Sequence, residues 1–220
     1  DLYRPYRPKR RTRASIAREK GLEPLAAAIT AARTPSPALE ALAKPYIDPE
    51  KGVETAEDAL AGAGDIIAED LSDDANLRGR LRALLHRTGV LKTVGTDEDD
   101  TVYAMYHDFS EPVRRLQSHR VLAINRGEKE GKLKVTLEAD ENEEIAAVTR
   151  AALHPKNPFG DWLRAVCADS WNRLLFPSLE RELRNELTDA ANEQAIRTFA
   201  LNLRPLLMQP PVRGRVTLGF

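Results

Sequence analysis

Apolar positions recur at helical spacing along much of the chain, and the longest such run lies between Asp161 and Gln209. Trp162, Val166, Trp171, Leu174 and Leu175 precede Pro177, and Leu179, Leu183, Leu187, Ala191, Ala195, Phe199, Leu203 and Leu206 follow it. Residues three and four apart share a helix face, so the pattern predicts a medium helix, a hinge at Pro177, and a very long helix with a buried stripe. Ser178 is a fair N-cap with Glu180 and Glu182 in the first turn, and Pro205 is expected to bend or end the helix. Such a rod is about 40 Å long, which suits a spine joining parts of something larger.

The pattern upstream is of shorter elements. Thr12 caps a short helix that Gly21 ends, and Pro24 opens another through Leu25 to Ala32. After the break at Thr34–Pro37 comes a short helix, 38–43, and a turn-rich connection, 44–52. Thr55 with Asp58 resembles a capping box for a helix to Leu71, weakened by Gly62 and Gly64. Ser72 is expected to cap the next, with Leu77, Leu81, Leu84 and Leu85 inward and Arg78, Arg80, Arg82 and Arg87 suiting its dipole. Residues 90–94 read as a short strand, whereas Val102, Met105, Tyr106 and Phe109 have spacings that fit a helix better. Ser118 is expected to cap a helix to Arg126, residues 132–138 alternate strictly as a strand, and 141–153 return to helix. The fold class expected is mainly α: a multi-helical array with a long central helix and two or three short strands.

Composition fits that picture: 220 residues at 42% hydrophobic content suffice for one large domain or two small ones with a real core. No apolar run approaches the length of a membrane span and no signal peptide is evident, so no membrane partner and a cytoplasmic address are expected. The chain starts without Met and stops on an apolar alternation, 215–220, which reads as an excised piece. A lone cysteine, Cys167, rules out an internal disulfide and a cysteine zinc site. His86, His107, His119 and His154 are too far apart in sequence for an HxxxH ligand pair, and no phosphate-cradling glycine loop is present. Ser118 and His119 are adjacent on a helix and point apart, so they form no nucleophile–base pair. No metal, no cofactor and no catalytic residue is expected, and the chain is not read as an enzyme.

Charge is unevenly spread despite a net charge of -1. Residues 4–20 carry Arg4, Arg7, Lys9, Arg10, Arg11, Arg13, Arg18 and Lys20 against Glu19 alone, whereas 48–74 carry ten carboxylates and only Lys51. Cations interleaved with Tyr3 and Tyr6 are what a single-stranded nucleic-acid surface uses, for phosphate and for stacking respectively. Arg4, Arg7, Lys9, Arg10, Arg11 and Arg13 are therefore the candidate nucleic-acid contacts. The competing reading pairs these arginines with the carboxylates of 48–74 or leaves them in solvent. Arg114, Arg115, Arg120 and Arg126 form a second candidate patch, only part of which shares a helix face.

Three ordered stretches carry a resemblance. They are Tyr3–Leu25; Phe109–Val113 with Ser118–Ala123 and Asn125–Gly131; and Pro177–Arg184 running on to Pro210–Gly214. Together they resemble the N-terminal helical region of the Tex family, bacterial RNA-binding transcription accessory proteins related to the core of a eukaryotic elongation factor. The resemblance implies a multidomain protein in which this region, residues 1–212, precedes an RNase H-like domain whose first strand starts within 213–220, then a helix-hairpin-helix region and an S1 domain. It transfers no binding or catalytic residue to this chain. It implies a helical scaffold and interaction region that binds nucleic acid, RNA ahead of DNA, and acts with the transcription machinery and with other domains of the same chain. Two alternatives stand beside it: support for an RNase H-like nuclease whose active site lies outside this fragment, or a purely structural domain spacer. The clustered carboxylates of a two-metal nuclease are missing from the sequence.

Overall fold

A computed structural model describes residues 11–33, 38–96 and 102–209. The architecture is mainly α, with a three-stranded antiparallel sheet and a continuous helical run of 48 residues, Gly160 to Leu207. The helices are α1 (Arg13–Glu19), α2 (Glu23–Ala31), α3 (Leu39–Ala43), α4 (Ala56–Asp73), α5 (Ala75–Thr88), α6 (Ser118–Lys129), α7 (Glu141–Ala152), α8 (Gly160–Asp169) and α9 (Phe176–Leu207). The strands are β1 (Val90–Gly95), β2 (Asp108–Pro112) and β3 (Leu133–Glu138), in the order β2-β1-β3. The chain divides into two compact units: one takes residues up to Leu91, Pro112–Arg114 and Leu137–Leu183, the other Lys92–Glu111, Arg115–Thr136 and the chain from Arg184.

The first unit is built around α4. Thr55 and Asp58 close a reciprocal capping box at its start, satisfying two amides that the helix leaves unpaired. Small residues line its inner side, and Gly62 is close packing rather than weakness. A Cβ there would stand 2.4 Å from Leu22 Cδ1 and 3.3 Å from Ala17 Cβ, so α1 approaches α4 closely. Leu22, Leu25, Ile29, Ala63, Ile66 and Leu163 belong to the buried core that follows. Polar groups inside it are satisfied: Ser170 Oγ donates to the Ala68 carbonyl at 2.8 Å, and Asn157 Nδ2 donates to that of Ile29 at 2.8 Å. Arg78, 5% exposed, donates to Ser178 Oγ at 2.8 Å and Glu182 at 2.7 Å, tying α5 to the start of α9.

In the second unit Gly127 lets α6 lie on Leu133 of β3, whose Cδ1 would be 2.6 Å from an added Cβ. Asn125 donates to Thr188 at 2.8 Å, and Arg184 pairs with Glu128, fastening α6 to α9. β3 alternates buried and exposed positions as its sequence predicts.

Five expectations need correction. Pro177 is no hinge: a π-helical turn, Ser170–Leu175, joins α8 to α9 without a break. Widening the turn just ahead of the proline relieves the clash that its ring imposes on an α-helix. Pro205 lies inside α9, which continues to Leu207. Residues 104–106 form only a 3₁₀ turn, and 108–112 are strand, because pairing with β1 overrides local spacing. Gly95 N–H donates to the His107 carbonyl at 2.9 Å, and Gly95 also leaves room for the His107 ring. Finally, Asp74 rather than Ser72 caps α5, accepting from Asn76 and Leu77 amides, and Ser118 makes no capping bond.

Candidate interaction surfaces

Of the candidate nucleic-acid contacts, Arg4, Arg7, Lys9 and Arg10 lie outside the described residues, as do residues 210–220 with the expected strand at 213–220. Arg11 and Arg13 are placed at the start of α1. Thr12 between them caps the helix, its hydroxyl accepting from Ser15 N–H at 3.0 Å. Arg11 turns back along the helix to Glu19 at 3.0 Å, an exposed pair of little energetic weight. Arg13 is exposed, with no hydrogen bond or ion pair among the described residues.

The other cations of that block are engaged. Arg18 donates to Glu69 and Asp70, each at 2.6 Å, and Lys20 to the Gly52 carbonyl at 2.7 Å. Burial by itself disfavours the Arg18 charge. The hydrogen bond to Glu69 and the charge of Asp70 outweigh it and hold the guanidinium above its ordinary value. The acidic stretch thus takes up part of the basic one, by contacts some fifty residues apart that the sequence alone could not assign.

Within the second patch, Arg120 is likewise engaged, 2.7 Å from Glu111 and 5.7 Å above the Phe109 ring. Arg114, Arg115 and Arg126 are exposed.

The second unit carries a surface of different character, missed because helical spacing shows which residues share a face but not whether anything covers them. Leu179, Leu183 and Ala191 are buried, yet beyond Ala191 every described residue of α9 is exposed. Ile196, Phe199, Leu203 and Leu206 fall on one face, with Phe199 66% and Leu206 62% exposed. A groove of about 900 Å³ runs between the start of α6 and this part of α9, with Leu122 and Phe199 in its walls and Ala191 and Ala195 beside them.

Among the described residues no group of three His, Cys, Asp or Glu side chains could hold a metal, and no helix is long and apolar enough to cross a membrane. Cys167 is buried, and burial pushes its thiol up, against the usual condition for reactivity.

A Tex central region-like domain matches residues 33–199. Protein tex of Bordetella pertussis is 43% identical over the whole chain, and transcriptional accessory protein Tex of Neisseria gonorrhoeae 36%. S1 RNA-binding domain-containing protein 1 of Homo sapiens is 30% identical over 94% of the chain, which is 22% of that protein. The chain spans 30% of the length of the two bacterial relatives. With a family domain matched over most of its residues, this chain belongs to the Tex family.

Proposed function

We propose that this chain is the helical scaffold and interaction region of a transcription accessory protein, and that the distal part of α9 is where other parts of the protein or its transcription partners dock. The observation that carries the reading is the apolar face of Ile196, Phe199, Leu203 and Leu206 standing exposed on a regular helix. The relatives' greater length and the name transcriptional accessory protein support it. Hydrogen exchange tests it: amides of 196–206 are expected to exchange more slowly in the full-length protein than in the 220-residue chain. Equal rates in both would remove the docking role.

A second reading adds nucleic acid, RNA first, at the start of α1. Arg13 favours it, being exposed and without a partner among the described residues while its neighbours are engaged. The relative named for an S1 RNA-binding domain supports the choice of RNA. Titration of labelled single-stranded RNA at several salt concentrations is expected to show affinity falling with salt. With Arg11 and Arg13 changed to Ala the salt slope should shrink by roughly one or two units. An unchanged slope would place the contacts elsewhere, and no binding at low salt would end this reading for the region.

A further inference from the structure

α5 and α7 pack directly against each other, and between them lies a groove of about 550 Å³. Its floor is apolar: Leu77 and Leu81 are buried, Leu84 is half-buried, and Ala147 and Ala151 contribute from α7. Its rim is basic. Arg80, Arg87 and Arg150 are all exposed, against the single carboxylate of Glu143. Arg87 lies 3.5 Å from Glu143, a loose contact, while Arg80 and Arg150 make no ion pair or hydrogen bond among the described residues. Two guanidinium groups without acceptors thus flank an apolar floor.

We propose that this groove docks an acidic amphipathic helix from a protein partner. The chemistry selects that occupant on two grounds. Apolar side chains at helical spacing on the incoming segment would cover Leu84, Ala147 and Ala151, which solvent now reaches. Its flanking Asp or Glu side chains would meet Arg80 and Arg150, whose planar forks match a carboxylate in bidentate fashion. A nucleic-acid strand fits less well, because no aromatic ring lines the groove for a base to stack on and its floor offers nothing to a phosphate. The groove shares no lining residue with α1 or with the distal face of α9, and it stands whether or not RNA or other domains bind there.

The test uses the 220-residue chain and a fluorescein-labelled helical peptide about five turns long, with leucines on one face and glutamates on its flanks. Anisotropy should show saturable binding that weakens with salt. Arg80→Glu with Arg150→Glu should weaken it about tenfold or more, and Arg80→Gln with Arg150→Gln by less, whereas Arg13→Glu should leave it unchanged. All the altered residues are exposed, so the far-ultraviolet spectrum and melting transition of each variant serve as the check on folding. A peptide with lysines replacing the glutamates should fail to bind. The proposal is overturned if the lysine peptide binds equally, if the charge reversals change nothing, or if they abolish single-stranded RNA binding while leaving the acidic peptide untouched.

Discussion

Glu144 has no exposed surface, and neither of its carboxylate oxygens has a hydrogen-bond partner. Burial comes first among the causes that push its carboxyl up to about 7, with the charges of Glu143 and Asp140 adding to it and Arg87 opposing. The sign follows directly. The folded state holds this proton more tightly than the unfolded chain, so folding stability is greatest below the ordinary carboxylate range. It declines as pH rises through the interval up to about 7, by at most about 3 kcal/mol. Glu144→Gln removes the titrating group and is expected to raise the melting temperature at pH 8 with little change at pH 5. A difference independent of pH would contradict the buried-carboxylate account. Nothing in the pattern of residues 141–153 marks Glu144 apart from its exposed neighbours Glu141 and Glu143, because only the packing of α7 against the rest of its unit separates them. Arg18 and Arg13 teach the same lesson. Both are visible as cations in the chain, but only the fold distinguishes the one held by Glu69 from the one left in solvent.

Among the elements, those set by neighbours in sequence were readable. Thr12 caps the helix that Gly21 follows, Thr55 caps where its spacing from Asp58 places it, and β3 alternates as written. Elements set by distant partners were not: the turn and strand at 104–112 follow from pairing with β1, against an i, i+3 pattern that suggests helix. α9 shows both cases in one helix. Its periodicity is continuous, but its burial ends at Ala191. Leu183→Ala, at a fully buried position, is therefore expected to destabilise the chain by about 2–5 kcal/mol. Leu206→Ala, on the exposed face, should change stability by less than about 0.5 kcal/mol. Urea unfolding of the two variants decides it, and equal losses would mean that the distal face is covered within the chain itself.

At the scale of the whole molecule, the mainly α class and the long C-terminal helix were legible because helical periodicity dominates the sequence. The candidate surfaces were legible only in part. Composition located the basic block, whereas the groove between α5 and α7 arises from residues some seventy positions apart, Arg80 and Arg150, that no local pattern joins. The small sheet has a further consequence. Among the described residues its outer strands, β2 and β3, each have an edge that no further strand pairs, the kind of backbone template on which chains add to one another and aggregate. β2 ends in Pro112, which has no amide to donate, and carries Asp108 and Glu111; β3 sets Lys134 and Glu138 outward. A foreign strand arriving at either edge meets charge or a missing donor, so the sheet is guarded against growing beyond three strands.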